Sequence, residues 1–142
     1  MRIERINNGI VLDHISAGVG IEILNLFPTE ILNTKIDYAS YIDSPRQETK
    51  DIIKIENLDV EPKTLMKMAL LSPNITISII RNGQVSKKIR PTIPDQVDGV
   101  VACTNPKCVT LREDYLESKI RLFKQEDSRL RKQCVYCEHT FF

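Results

Sequence analysis

Over the first ninety residues short apolar runs rich in β-branched residues alternate with two stretches of helical period, and the breaks fall at Asn-Gly pairs and at prolines. Arg2 to Ile6 and Ile10 to Ile15 read as strands flanking Asn7-Asn8-Gly9, whose Asn-Gly pair suits a tight hairpin turn. Ser16 suits the cap of a helix running to about Phe27, with Ile21, Leu24 and Phe27 on one side, although Gly18 and Gly20 weaken its start. Lys35 to Tyr41 and Ile52 to Glu56 read as two further strands around a polar surface loop containing Ser44-Pro45-Arg46-Gln47. Pro62 fits the first turn of a helix through Leu71 that carries Leu65, Met68, Ala69 and Leu70, and Ser72-Pro73 ends it. Ile75 to Ile80 and Gln84 to Ile89 form a second hairpin across Asn82-Gly83. The order β-β-α-β-β-α-β-β predicts an α+β fold: a two-layer, mainly antiparallel sheet with helices on one face, ferredoxin-like in plan.

The pattern changes after residue 89. Residues 89–98 hold Pro91 and Pro94 and no clear period, which predicts a domain of residues 1–92, an extended proline-stiffened connection at 93–98, and a small β-rich domain at 99–142. The second domain is near the size at which an apolar core alone no longer holds a fold, so a staple is expected.

All four cysteines lie in that second domain, as Cys103-Thr-Asn-Pro-Lys-Cys108 and Cys134-Val-Tyr-Cys137. Both spacings suit the short knuckles of structural zinc sites, where each loop turns two thiolates toward one ion. Four sulfur ligands close the coordination shell, so the expected Zn2+ is structural and has no open position for chemistry. A redox Cys-x-x-Cys pair, an iron-sulfur cluster and inert buried thiols compete with this reading, and a redox pair would not require the distant second knuckle. His139 stands too close to Cys137 to be favoured as a ligand and reads as a surface residue.

Composition narrows the partners. Twenty Lys and Arg against nineteen Asp and Glu leave a formal charge of +1, so no global field draws nucleic acid or an anionic membrane, and an anionic ligand needs a local site. No apolar run reaches the roughly 18 residues of a membrane span, and the N-terminus lacks the apolar stretch of a signal peptide, so a cytoplasmic location and reduced thiols are expected. A zinc-ribbon protein that binds nucleic acid is the alternative from another class. The basic residues of the second domain, among them Arg112, Lys119, Arg121 and Arg131, are interleaved with Glu113, Asp114, Glu117 and Glu126, which suits a solvated or protein-binding surface better than a phosphate track. An enzyme using the thiols is the weakest reading, because neither histidine stands beside a knuckle as a base.

Four blocks in order, Val11-Leu12-Asp13-His14-Ile15, Ile53-Lys54-Ile55-Glu56-Asn57, Lys88-Ile89-Arg90-Pro91 with Pro94, and the knuckles ending in Cys134-Val-Tyr-Cys137-Glu138, resemble the regulatory chain of aspartate carbamoyltransferase. The resemblance spans nearly the whole chain. It implies a non-catalytic subunit of pyrimidine biosynthesis that pairs with itself, binds ATP or CTP with UTP acting alongside CTP, and docks on catalytic chains in a heterododecamer. By position it implies that Asp13 and Lys54 address the ribose, that Lys88 and His14 address the phosphates, and that Lys50 lies near the phosphate or a second nucleotide. Ile6, Val11, Ile80 and Val85 would border the base, and Ser78 would lie in the same nucleotide-binding pocket. In the zinc domain Asn105, Lys107 and Glu138 would face the catalytic chain. Three positions depart from the family's pattern: Ser78 and Lys107 each stand where Asn is common, and Gly83 where a larger residue commonly flanks the base. A regular strand also puts His14 on the face opposite Asp13, and Val85 opposite Lys88, so the implied site requires a bulge, a twist or a strand end near residues 14 and 86–88.

Overall fold

The computed structural model describes residues 6–28, 33–43, 48–126 and 129–142. It divides into two compact units, residues 1–91 and 92–142.

The first unit runs β1 (Gly9–Ser16), α1 (Gly20–Leu24), β2 (Ile36–Asp43), β3 (Thr49–Glu56), α2 (Pro62–Leu71), β4 (Thr76–Arg81) and β5 (Gln84–Ile89). The five strands form one sheet in the order β2-β3-β1-β4-β5, with every neighbouring pair antiparallel. Each helix connects two strands that flank a third, which is the ferredoxin-like plan. One face of the sheet carries Ile10, Leu12, Ile15, Ile53, Ile55 and Ile77, which pack with Ile23 and Phe27 and with Met68 of α2 in a single buried core. Met68 is fully buried, and Met68→Ala is expected to cost about 2–5 kcal/mol, measurable by denaturant unfolding.

The strand expected at 2–6 falls almost wholly on residues 1–5, which lie outside the described residues. Ile6 is buried but not in a strand, and β1 is central, with β3 on one edge and β4 on the other. Gly9 is needed for a different reason. It opens β1 at φ +146°, where a Cβ would sit 2.2 Å from the carbonyl oxygen of Ile55. The flanking carbonyls of Asn7 and Asn8 accept the N–H groups of Gly83 and Asn57, tying strand ends together.

Helix α1 is much shorter than the expected 16–27. Ser16 is still paired with Lys50 as the last residue of β1, so it caps nothing, and Gly18 at φ +86° delays the first turn to Gly20. Ile21 is 62% exposed; Ile23 and Phe27 are buried in the core, and half-buried Leu24 packs against it. Tight turns through Leu26 and Phe27 close the segment ahead of Pro28. The other elements match their expected positions closely. Helix α2 begins at Pro62, and the β4–β5 hairpin turns through Asn82 and Gly83, both at positive φ. The loop residues 44–47 lie outside the described residues.

The second unit carries β6 (Gln96–Asp98), α3 (Val109–Arg112), β7 (Lys119–Lys124), β8 (Leu130–Cys134) and β9 (Thr140–Phe141), with its strands in the antiparallel order β6-β7-β8-β9. Residues 96–98, expected as part of the connection, are instead an edge strand on β7. Apart from the cysteines, the buried apolar side chains described here are Val97, Ile120, Leu122 and Leu130. That is a small core for a free-standing fold.

Candidate functional site

In the first unit, Val11, Asp13, Lys54, Ser78, Ile80, Val85 and Lys88 project from the sheet face opposite the helices. Val11 pairs with Lys54 on one side and Ser78 on the other, Ser78 pairs with Lys88, and Ile80 pairs with Val85. Lys50 shares this face, and its Nζ lies 2.9 Å from Asp13 Oδ1.

Two bulges make the grouping possible. In β1, Leu12 pairs with Ile53 and Ile15 with Asp51, so Asp13 and His14 together oppose Ile52. His14 takes φ +56°, its N–H donates to Asp13 Oδ1, and its Nδ1 lies 3.1 Å from Thr76 Oγ1. Thr76 is the partner of Asp13 across β4, so His14 reaches the Asp13 side instead of the core, and Ile15 returns to the core. In β5, Ile79 pairs with Lys87 but Ile80 with Val85, leaving Ser86 as the extra residue. That single insertion puts Val85 and Lys88 on one face. Ile6, buried beside this region of the chain, precedes Asn7, whose carbonyl meets the hairpin turn at Gly83.

Burial alone would raise the Asp13 carboxyl, but the Lys50 ammonium and the His14 N–H outweigh it and hold it below the usual carboxylate range. Asp13 is therefore an anion fixed to a cation at neutral pH. Beside it opens a cleft of about 1120 Å³ lined by His14 to Ala17, by Glu48 to Lys50, by Pro73 to Thr76, and by Arg90 and Pro91. Of the residues singled out from the sequence, His14 and Lys50 line this cleft, while Lys54, Ser78, Val85 and Lys88 lie on the sheet face outside its lining. Thr76 and Arg90 were missed. A threonine and an arginine at strand ends carry no local mark of a site.

The second unit brings Cys103, Cys108, Cys134 and Cys137 together, all four sulfurs within 4.8 Å of one another. Cys103 and Cys137 Sγ are 3.6 Å apart, and Cys108 and Cys134 Sγ 3.7 Å. Tetrahedral thiolates about 2.3 Å from one ion stand about 3.8 Å apart, whereas a disulfide requires about 2.05 Å, so the arrangement fits a four-thiolate metal centre of the zinc type. Burial pushes the Cys103 thiol up to about 12 and raises Cys134, whereas the backbone N–H of His139 lowers Cys137 to about 7. Backbone N–H groups of the knuckles point at sulfur, as from Asn105 to Cys103 Sγ at 3.4 Å. His139 is engaged elsewhere: Nε2 lies 2.9 Å from Thr104 Oγ1 and the ring stacks on Phe141.

Asn105 Oδ1 accepts the Lys107 N–H and shapes the first knuckle, Lys107 is exposed beside it, and exposed Glu138 follows the second knuckle at φ +63°. All three stand on the loops that carry the ligands. Val109 and Leu111 on α3 and Tyr136 between Cys134 and Cys137 add exposed apolar surface on and beside those loops. Three of the basic side chains, Arg129, Arg131 and Lys132, lie over the rings of Phe142, Phe123 and Phe141.

A ferredoxin-like domain with a polar sheet face, joined to a small domain built around four clustered cysteines, defines a two-domain protein in which the two candidate sites are built separately. Residues 1–92 match the family model described as the allosteric domain of the aspartate carbamoyltransferase regulatory chain, and residues 95–142 match its metal binding domain. The chain belongs to the aspartate carbamoyltransferase regulatory chain family. It is 38% identical over 141 residues to the regulatory chain of Methanocaldococcus jannaschii, covering 97% of this chain and 90% of that one. It is 38% identical to that of Aliivibrio fischeri, covering 99% and 90%. The regulatory chain of Clostridium acetobutylicum is 37% identical over 149 residues, covering 99% of this chain and 94% of the relative. No helix among the described residues is long and apolar enough to cross a membrane.

Proposed function

We propose that this chain is a non-catalytic cytoplasmic subunit that binds ATP and CTP, with UTP alongside CTP, on the outer face of the β1–β5 sheet, and docks on aspartate carbamoyltransferase catalytic chains through a domain stapled by one Zn2+. The observation that carries the nucleotide half is the pair of bulges at residues 13–14 and 86, which gather Asp13, His14, Lys50, Lys54, Val85 and Lys88 on one face. Ammonium groups pair with phosphate, a carboxylate accepts from ribose hydroxyls, and the apolar side chains of Val11, Ile80 and Val85 flank the base. Ile6 and Ser78 complete the base end. Regulatory chains pair with one another and join catalytic trimers in a heterododecamer. Nucleotide occupancy then biases a quaternary equilibrium of the first committed step of pyrimidine synthesis, which requires only a differential affinity of a few kcal/mol between states.

Asn105, Lys107 and Glu138, together with the exposed side chains of α3, supply the docking surface, and a metal centre directly beneath them explains why the surface keeps its shape. Calorimetry with CTP and ATP tests the nucleotide half. Lys88→Ala is expected to weaken CTP about tenfold to a hundredfold, the size of one charge-assisted contact, and a wild-type chain that takes up neither nucleotide would remove this half. Mixing the chain with catalytic trimers and measuring the mass of the assembly, and its activity with and without nucleotide, tests the docking half; trimers that stay free would overturn it.

A further inference from the structure

We propose that Asp51 is a positioning residue of the ligand cleft: from the helix side of the sheet its carboxylate clamps the wall at residues 14–17 to the wall at residues 48–50. The inference rests on the nucleotide-site reading only for the identity of the ligand. Asp51 is fully buried and shares its face of β3 with Ile53 and Ile55, where a carboxylate has no apolar role. Oδ2 accepts the N–H groups of Gly18 and Gly20 and the hydroxyl of Tyr38, at 3.1, 3.0 and 2.9 Å. Oδ1 accepts the Ser40 hydroxyl and the Tyr41 N–H, at 3.0 and 2.9 Å.

Two segments, residues 18–20 and the β2 residues 38–41, thus converge on one side chain. Gly18 and Gly20 continue directly from the cleft wall that ends at Ala17, and Gly20 is close enough that a Cβ there would meet Tyr38 Oη at 2.8 Å and Asp51 Oδ2 at 2.9 Å. Ser40 and Tyr41 are the bulged residues of β2, set opposite Asp51, and Tyr41 holds φ +56° to aim its N–H inward. On the other face, the neighbouring residue Lys50 reaches across to Asp13 at 2.9 Å. Successive strand residues point to opposite faces, so fixing the backbone at 51 from behind fixes where Lys50 emerges in front. The carboxylate touches no ligand. It sets the separation of the groups that do, His14 and Lys50, and a loosely held constellation binds weakly even when every contact group is present.

The test uses the full chain. Asp51→Asn is expected to lose at least tenfold in CTP affinity by calorimetry, at a temperature where circular dichroism reports it folded, and to accelerate amide exchange at His14 and Ser16 at least tenfold with no ligand added. Leu58→Ala, a core truncation away from the cleft, is expected to lower the melting temperature while leaving CTP affinity within twofold. Should Asp51→Asn not fold, Tyr38→Phe combined with Ser40→Ala, which removes two donors and keeps the carboxylate, decides on the same two readouts. Equal loss of CTP affinity in Leu58→Ala, or unchanged exchange at His14 and Ser16 in the clamp variants, overturns the proposal. A wild-type chain that binds no CTP overturns the nucleotide reading instead, and the exchange measurement on the free protein still decides the clamp.

Discussion

Replacing Cys108 by serine is expected to unfold residues 92–142, with the five-stranded sheet of the first unit left folded. The side chain is almost fully buried, and its sulfur sits 3.7 Å from that of Cys134. Serine offers a hard, weakly acidic oxygen on a shorter bond, so the ion loses one of its four anionic ligands. The apolar core around Val97, Ile120, Leu122 and Leu130 is too small to offset the conformational entropy of some fifty residues. Metal binding in comparable small domains supplies folding free energy on the order of 10 kcal/mol, so its loss exceeds any margin the core leaves. Metal analysis should find one zinc per wild-type chain and none in the variant. Amide dispersion should collapse for β6 to β9 only, and a strong chelator should reproduce the effect in the wild type. Retained dispersion for Ile120 and Leu122 in metal-free protein would show that the ion is not the staple. Because the docking loops carry the ligands, the same variant should fail to join catalytic trimers.

Asp51→Ala is expected to destabilise the first unit by on the order of 4 kcal/mol, as it strands several buried donors at once. Burial alone would raise the Asp51 carboxyl; the N–H groups of Tyr41 and Gly20, the Tyr38 hydroxyl and the Gly18 N–H outweigh it and hold the group below the ordinary carboxylate value. A depressed folded-state pKa stabilises the fold wherever the carboxylate is ionised in the unfolded chain, above about pH 4, and that contribution is lost as pH falls through the lower folded value. The wild type should therefore lose stability steeply below about pH 4, while Asp51→Ala should show a flatter acid limb from a lower plateau. Denaturant midpoints of the first unit between pH 3 and pH 7 check this, and parallel acid limbs in the two proteins would exclude Asp51 as the acid-sensitive group. Asp13 adds to the same limb, although its side chain is 31% exposed and solvent screens the Lys50 pair.

The parts of the molecule that were legible in the sequence are those built from neighbours along the chain. Pro62 and Ser72 bound α2 as expected because both act within one turn. Asn82-Gly83 set the β4–β5 hairpin because positive φ at both residues is a local property. The two knuckles announced the metal centre because each pair of thiols is brought together by a short loop. Local reasoning misled at Asn7-Asn8-Gly9, which has the composition of a hairpin turn but serves as the entry to a central strand, where Gly9 is required by the carbonyl of Ile55. It misled again at Ser16, whose N–H is held by Ser72 Oγ from the far end of α2.

By itself, the sequence determined the four-cysteine cluster, the two-domain division, the helix α2 and the family's blocks of polar residues, since each depends on spacing or on a short run of side chains. Only the tertiary structure decided that those polar residues share a face. His14 joins Asp13, and Val85 joins Lys88, because β1 and β5 each carry one residue more than the strand beside them, and an extra residue exists only relative to a partner strand that local sequence does not specify. The role of Asp51 is of the same kind. The strand expected from the sequence began at Ile52 and left Asp51 out, and the donors that make its burial stable come from residues 10 to 33 positions away, so only folding brings them to it.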